Sequence, residues 1–163
     1  MELTCGDCSL DGRPLRIDQL PELSSDDIAS VVGLQVPGND VDNADDYTWA
    51  YQIVNLDVLR CCTEDGEEPD GGWKAAYLRH QESDRAAILD GSPEYEGRAK
   101  WLEEWAANTS IYPLFVVLND GQYRILDGYH RLAAAFWHEV QNVAVFVGSP
   151  KLDYSNGLKS RRP

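Results

Sequence analysis

The sequence predicts an α+β (α/β) fold in a single compact domain. Strand-like runs and a segment with helical spacing follow one another between Pro113 and Gly148, and this segment organises the chain. A hairpin-turn motif, Asn119-Asp120-Gly121, separates two of the strand-like runs. The chain has 163 residues, of which 43% are hydrophobic and 26% are charged, so one domain with a real core is expected.

The segment from Pro113 to Gly148 predicts the order strand, tight turn, strand, helix, strand. Its three strand-like runs are Leu114–Leu118, Gln122–Leu126 and Val143–Val147. A helix is predicted between the last two runs, because its apolar residues recur at helical spacing. These residues are Leu132, Ala135, Phe136 and Val140.

The residues Asp127 to Arg131 lie where the second strand leads into this helix. The first turn of a helix has unpaired N–H groups and partial positive charge, so it can hold a phosphate. Gly128 lets a ligand approach the backbone, and His130 and Arg131 supply donors. Asp127 can cap the helix, orient His130 or bind magnesium. A plainer interpretation also stands, in which Asp127 is the N-cap and His130 and Arg131 are solvated.

A family resemblance rests on these residues. The motif ILDGYHRLAAAF, with PLFVVLNDGQYR before it and NVAVFVG after it, resembles the ParB/sulfiredoxin superfamily. Its D-G-x-H-R form is similar to free-serine-kinase-like members and to ParB-like nuclease-domain proteins. The resemblance implies a mixed sheet flanked by helices in residues 47–148. Residues 1–46 would be an extension packed on this core, and residues 149–163 a polar tail.

The same resemblance implies a nucleotide site at the start of the helix. Gly128, Tyr129, His130 and Arg131 would contact the phosphates. Asp127 would be a catalytic or metal-binding carboxylate, with His130 as a second catalytic group. The implied cofactor is Mg²⁺ together with ATP, ADP or another nucleotide.

A glutamate shortly after the first strand activates the substrate hydroxyl in kinase-like relatives. By position, Glu68 is the candidate for this role, with Glu64 and Glu67 as alternatives. The simpler interpretation of residues 63–72 is an acidic, solvated loop, because runs of charge usually face water.

Two departures from the superfamily pattern exclude particular activities. Sulfiredoxins carry a reactive cysteine where Tyr129 stands, so sulfinic-acid reduction is not expected. Chromosome-partitioning ParB proteins carry G-E-R-R at this motif and continue into a helix-turn-helix domain. This sequence has neither feature, which argues against centromere binding and a CTP-dependent clamp.

The charge balance is strongly acidic, with 28 Asp and Glu against 14 Lys and Arg, giving a net charge of −14. Proteins that bind nucleic acids present basic patches, so direct nucleic-acid binding is not expected. An acidic surface aids solubility and suits a basic protein partner. No apolar run is long enough to span a bilayer, and the first residues do not open a signal peptide, so we expect a soluble cytoplasmic protein.

These observations leave two function classes open. The first is a nucleotide- or phosphate-binding enzyme that transfers a phosphoryl group or hydrolyses a phosphate ester. The second is a non-enzymatic interaction protein that reuses the fold and binds a basic partner, for example by imitating nucleic acid as some phage or plasmid inhibitors do. A nuclease is a third and weaker option, because a basic patch is missing.

The flanking segments predict further helices. Ser24 to Asp27 form an N-cap cluster before a helix that Gly33 is expected to end. Residues 73–89 predict a second helix, in which His80 is expected to be exposed. Ser92 and Pro93 predict the start of a third helix. Its buried stripe is predicted to be Trp101, Leu102 and Trp105.

The cysteines give a weak signal. Cys5 and Cys8 form one C-x-x-C pair, whereas Cys61 and Cys62 are adjacent and cannot easily ligate one ion together. We expect four reduced thiols. A mixed zinc site of Cys5, Cys8, one of the later cysteines and a histidine stays open.

Overall fold

The computed structural model describes residues 4–10, 13–35, 44–109 and 112–152. The described strands and helices, in chain order, are β1 (Thr4–Leu10), β2 (Arg13–Arg16), α1 (Ser25–Gln35), β3 (Tyr47–Asn55), α2 (Gly72–Leu89), α3 (Arg98–Ala107), β4 (Leu114–Asn119), β5 (Gln122–Asp127), α4 (Tyr129–Trp137) and β6 (Asn142–Pro150). Short 3₁₀ turns lie at Ile17–Glu22, Ala44–Asp46, Leu56–Leu59 and Pro93–Tyr95.

A four-stranded mixed sheet, in the order β3-β6-β4-β5, forms the centre of the molecule. β6 runs antiparallel to β3 and parallel to β4, and β4 and β5 form an antiparallel hairpin. Residues 143–147 of β6 are all buried, because this strand lies between two others and both faces of the sheet are covered. The mixed α+β class predicted from the sequence is confirmed.

The predicted order of elements between residues 113 and 148 is also confirmed. Asn119 pairs with Gln122 across the hairpin, and both turn residues have positive φ, 50° at Asp120 and 79° at Gly121. Two successive positive φ angles characterise the type I′ turn that matches the twist of the strands. Local sequence chemistry is therefore sufficient to define this hairpin.

Helices cover the sheet on both faces. Alternate residues of β4 point to opposite sides, with Val116 in one core and Phe115 and Val117 in the other. The first core lies under α2, α3 and α4. The second lies under α1 and includes buried residues of the predicted N-terminal extension: Leu15, Leu20, Ile28, Ala29, Val31 and Val32.

The boundaries of two predicted helices are wrong. Ser92 and Pro93 begin only a short 3₁₀ turn, and α3 starts later, after Gly97 adopts a left-handed φ of 79°. The first helix continues through Gly33 to Gln35. Within the predicted N-cap cluster, Ser24 and Asp27 cap each other, with 3.1 Å from Asp27 N to Ser24 Oγ. Strand β1 was not predicted at all.

The two expectations for the cysteines concern residues that the structure describes only in part. Cys61 is exposed, Cys62 is buried, and both are free thiols. The side chains of Cys5 and Cys8 lie outside the described residues, and with them the zinc alternative. Within the described ranges, none of the helices combines the length and apolar character needed to cross a membrane.

Candidate functional site

The N-terminus of α4 is the feature around which the candidate site is built. Gly128 is the N-cap residue, with φ 101° and ψ 22°, and no side chain caps this end of the helix. The alternative in which Asp127 is the N-cap is therefore wrong. Leu132 N donates to Gly128 O at 2.8 Å, which closes the first helical turn. The preceding amides of this turn have no acceptor within the helix, so they can bind an anion.

A cavity of about 360 Å³ opens at this helix end. All five residues from Asp127 to Arg131 line it. The remaining wall comes from α3, from the segment that leads into β4, and from β5: Arg98, Trp101, Leu102, Tyr112 and Leu126. Its size lies at the lower end of the roughly 300–1,000 Å³ typical of small-molecule sites.

Arg131 is a buried part of the cavity wall, with a side chain that is 5% exposed. Its Nη1 donates to Tyr112 O at 2.7 Å and to Pro113 O at 2.9 Å, and its Nη2 donates to Asp127 Oδ2 at 3.2 Å. The guanidinium also stacks on the Tyr112 ring, with 4.2 Å from Cζ to the ring centroid. Both terminal nitrogens already donate hydrogen bonds to oxygen atoms of the protein. Contact between this side chain and a phosphate therefore stays a prediction.

His130 packs against His80 of α2, and their ring centroids are 4.1 Å apart. His80 also stacks on Tyr129 at 5.2 Å, so the prediction of a freely exposed His80 is wrong. Its Nδ1 is buried and has no hydrogen-bond partner among the described residues. Burial lowers the pKa of His130, and the positive charge of Arg98 lowers it further. Burial also lowers the pKa of His80, with a smaller contribution from the charge of His130. Both rings are therefore neutral at pH 7.

We expect the histidine pair to make the protein less stable in mild acid. In the unfolded chain, His80 and His130 become protonated at about pH 6.5. In the folded protein both pKa values are lowered, so protonation of these side chains requires a lower pH. The stability contribution of the pair is thus complete above about pH 6.5 and is lost as pH falls toward the lower folded-state pKa values. Asp84 and Asp127 oppose this effect, and Arg79 and Arg98 strengthen it.

Urea unfolding between about pH 5 and pH 7.5 would measure this dependence. The double variant His80→Gln, His130→Gln should show a shallower loss of the free energy of unfolding than the unchanged protein. His138→Gln is the matched control, because His138 is exposed at the opposite end of α4. If the free energy of unfolding changes with pH at the same slope in all three proteins, the histidine pair does not cause the loss of stability in acid.

Asp127 can take part in binding magnesium. Its side chain is 43% exposed, and Arg131 holds one of its oxygens at 3.2 Å. In the described part of the chain, no cluster of three or more His, Cys, Asp or Glu side chains could hold a metal ion. Magnesium often binds through one or two carboxylates and the phosphates of a nucleotide, so a single carboxylate at the cavity edge fits such an arrangement.

Glu68 does not line this cavity. Its Oε1 accepts a hydrogen bond from Arg60 Nη1 at 2.8 Å, and it faces a separate cavity of about 870 Å³ together with Glu64 and Glu67. Among the described residues, Leu126 and Tyr129 alone line both cavities. The structure therefore does not bring the candidate base beside Asp127 and His130.

Two functional candidates were missed by the sequence analysis. Trp101 was predicted to be buried with Leu102 and Trp105, and those two are buried, but Trp101 is 46% exposed and lines the cavity. Arg98 lies three residues earlier, on the same face of α3. It forms an ion pair with Asp84 at 3.1 Å. Their separation by three residues, which places both side chains on one face of a helix, was the sequence signal that could have identified them.

Comparisons with known proteins identify no relative. The chain matches no protein-family model, no curated protein and no solved structure.

Proposed function

We propose that the protein is a ParB-like binder of nucleotides or other small phosphorylated ligands. The observation that carries this proposal is the uncapped N-terminus of α4, which opens into a cavity also lined by His130 and Arg98. Backbone amides, an imidazole and a guanidinium line one small-molecule cavity, where they provide hydrogen-bond donors and positive charge. The D-G-x-H-R motif at residues 127–131 supports the same interpretation, because it resembles the motif of nucleotide-binding proteins of the ParB/sulfiredoxin superfamily.

Each polar group has a defined part in this proposal. The amides after Gly128 receive a phosphate, and neutral His130 donates a hydrogen bond to one of its oxygens. Arg98 offsets the negative charge of the ligand. A positive group is needed there because a protein with a net charge of −14 repels an anion. Magnesium, when bound with the nucleotide, would supply further positive charge. Asp127 would hold that ion or accept the proton of an attacking hydroxyl, so phosphoryl transfer or phosphate-ester hydrolysis is the proposed chemistry.

Calorimetric titration with ATP, ADP and CTP, each with and without magnesium, tests the proposal. We expect binding of at least one nucleotide, and we expect Arg98→Gln to weaken it roughly 10- to 100-fold, since hydrogen bonds to charged groups contribute about 1.5–3 kcal/mol. Arg85→Gln is the charge-matched control, because Arg85 is exposed on α2 and outside the cavity. His130→Ala, compared with His138→Ala at the other end of α4, provides the second matched pair.

The second candidate function is an acidic interaction protein that binds a basic partner or imitates nucleic acid. Its support is the net charge of −14 and the acidic loop of residues 63–72, whose carboxylates line the cavity of about 870 Å³. The same titrations separate the two functions. If no nucleotide produces heat, and an Asp127→Ala, His130→Ala double variant behaves as the unchanged protein, the phosphate site is refuted and the interaction protein is favoured.

A further inference from the structure

Two kinds of side chain line the cavity at the start of α4. The motif residues and Arg98 supply polar groups. An apolar and aromatic wall is formed by Trp101, Leu102, Tyr112 and Leu126. A bare phosphate held by the polar groups would leave this wall uncovered. An anion joined to a flat apolar group would contact both the polar groups and the wall.

The exposure of Trp101 is the observation that singles out this wall. The tryptophans of the first core, Trp73 and Trp105, are 2% and 3% exposed, whereas Trp101 is 46% exposed. The Trp101 ring meets Tyr112 edge-on, at an interplanar angle of 80° and a centroid distance of 6.4 Å. Leu102 packs into the core beneath, so the position of the backbone beside Trp101 is fixed. An indole held in this way is a platform on which a planar ring can stack.

We propose that Trp101 and Tyr112 form the subsite for the base of a nucleoside phosphate. This inference rests on the proposed function, because the phosphate nearest the ribose would lie at the start of α4. The base would stack on the Trp101 indole, and Leu102 and Leu126 would exclude water from its edges. The ligand class is therefore a nucleoside phosphate, and a sugar phosphate without a base should bind less tightly.

Calorimetry with three probes tests the base subsite: adenosine 5′-monophosphate, ribose 5-phosphate and adenosine. Since stacking on an aromatic side chain typically changes affinity by about 5- to 100-fold, we expect the nucleotide to bind more tightly than ribose 5-phosphate by that factor. Trp101→Ala should abolish the difference, and Trp101→Phe should keep most of it. Trp137→Ala is the control, because Trp137 is also partly exposed, at 38%, but lies outside the cavity and stacks on Tyr77.

Fluorescence provides a readout that a merely structural role of Trp101 would not change. Stacking of a base should quench the tryptophan emission of the unchanged protein. The quenching should disappear in Trp101→Phe, even though the nucleotide still binds.

The outcomes distinguish this inference from the function on which it rests. Equal affinities for the nucleotide and ribose 5-phosphate, unchanged by Trp101→Ala, would overturn the base subsite and leave the phosphate site standing. Binding of adenosine that depends on Trp101, with no binding of ribose 5-phosphate, would support the base subsite and refute the phosphate site. No binding of any probe would refute both.

Discussion

Replacing Arg131 by methionine is expected to lower the free energy of unfolding by about 2–5 kcal/mol. The Arg131 side chain is 5% exposed, and its Nη1 holds the carbonyl oxygens of Tyr112 and Pro113 at 2.7 and 2.9 Å. Methionine fills similar volume but donates no hydrogen bond. Each carbonyl that stays buried without a donor costs about 1–3 kcal/mol. Denaturant unfolding monitored by circular dichroism would measure the loss.

Two further variants show whether the hydrogen bonds cause this loss. Arg131→Lys retains the positive charge but has a single nitrogen, which cannot reach both carbonyls and Asp127 in the geometry of a guanidinium. We expect its stability to lie between those of the methionine variant and the unchanged protein. Arg85→Met controls for removing an exposed arginine and should change stability by less than about 0.5 kcal/mol. A loss below about 1 kcal/mol in Arg131→Met would contradict a structural role for this residue.

The Arg131 prediction shows where sequence reasoning succeeds and where it ends. The hairpin turn at Asp120-Gly121 and the helix after Gly128 follow from adjacent residues, and both were predicted. The two carbonyl acceptors of Arg131 lie 18 and 19 residues earlier in the chain, in a segment with no regular structure. A solvated, phosphate-gripping arginine and a buried, carbonyl-holding arginine have the same local sequence, so only the tertiary fold distinguishes them.

The contacts of His80 are a second example of this limit. Its position in the middle of a polar helix predicted exposure, and helical periodicity contains no information on what faces it. In the structure α2 packs on α4, which places the His80 ring 4.1 Å from that of His130, 50 residues later in the chain. His130 could be identified from the sequence because it belongs to a motif. The position of His80 beside it depends on how α2 crosses α4.

The position of Trp101 shows a different limit. The apolar residues Trp101, Leu102 and Trp105 of α3 suggested one buried stripe. The stripe is narrower, and only Leu102 and Trp105 face the core. A tryptophan at the edge of an amphipathic helix can be buried or can line a cavity. The outcome depends on the neighbouring wall, which here is the end of α4.

Replacing Gly128 by alanine is expected to lower the free energy of unfolding by about 2–5 kcal/mol and to abolish ligand binding at the start of α4. The residue has φ 101°, which strains any L side chain. In addition, a Cβ atom would lie 2.5 Å from Leu114 Cδ2 and 2.8 Å from Arg131 Nη2. Leu114 is fully buried, so neither neighbour can move away without loss of packing or of the hydrogen bonds of Arg131.

Gly91→Ala separates the two causes of this destabilisation. Gly91 has a similar φ of 98°, but a Cβ atom there would meet nothing within 4 Å. This control should therefore show only the backbone strain, about 1–2 kcal/mol, and should leave ligand affinity unchanged. The excess loss in Gly128→Ala, measured by denaturant unfolding of both variants, reports the crowding against Leu114 and Arg131. If the two variants lose the same stability, the close packing of Leu114 and Arg131 around Gly128 does not constrain the start of α4, and the cavity wall there is more adaptable than its contacts indicate.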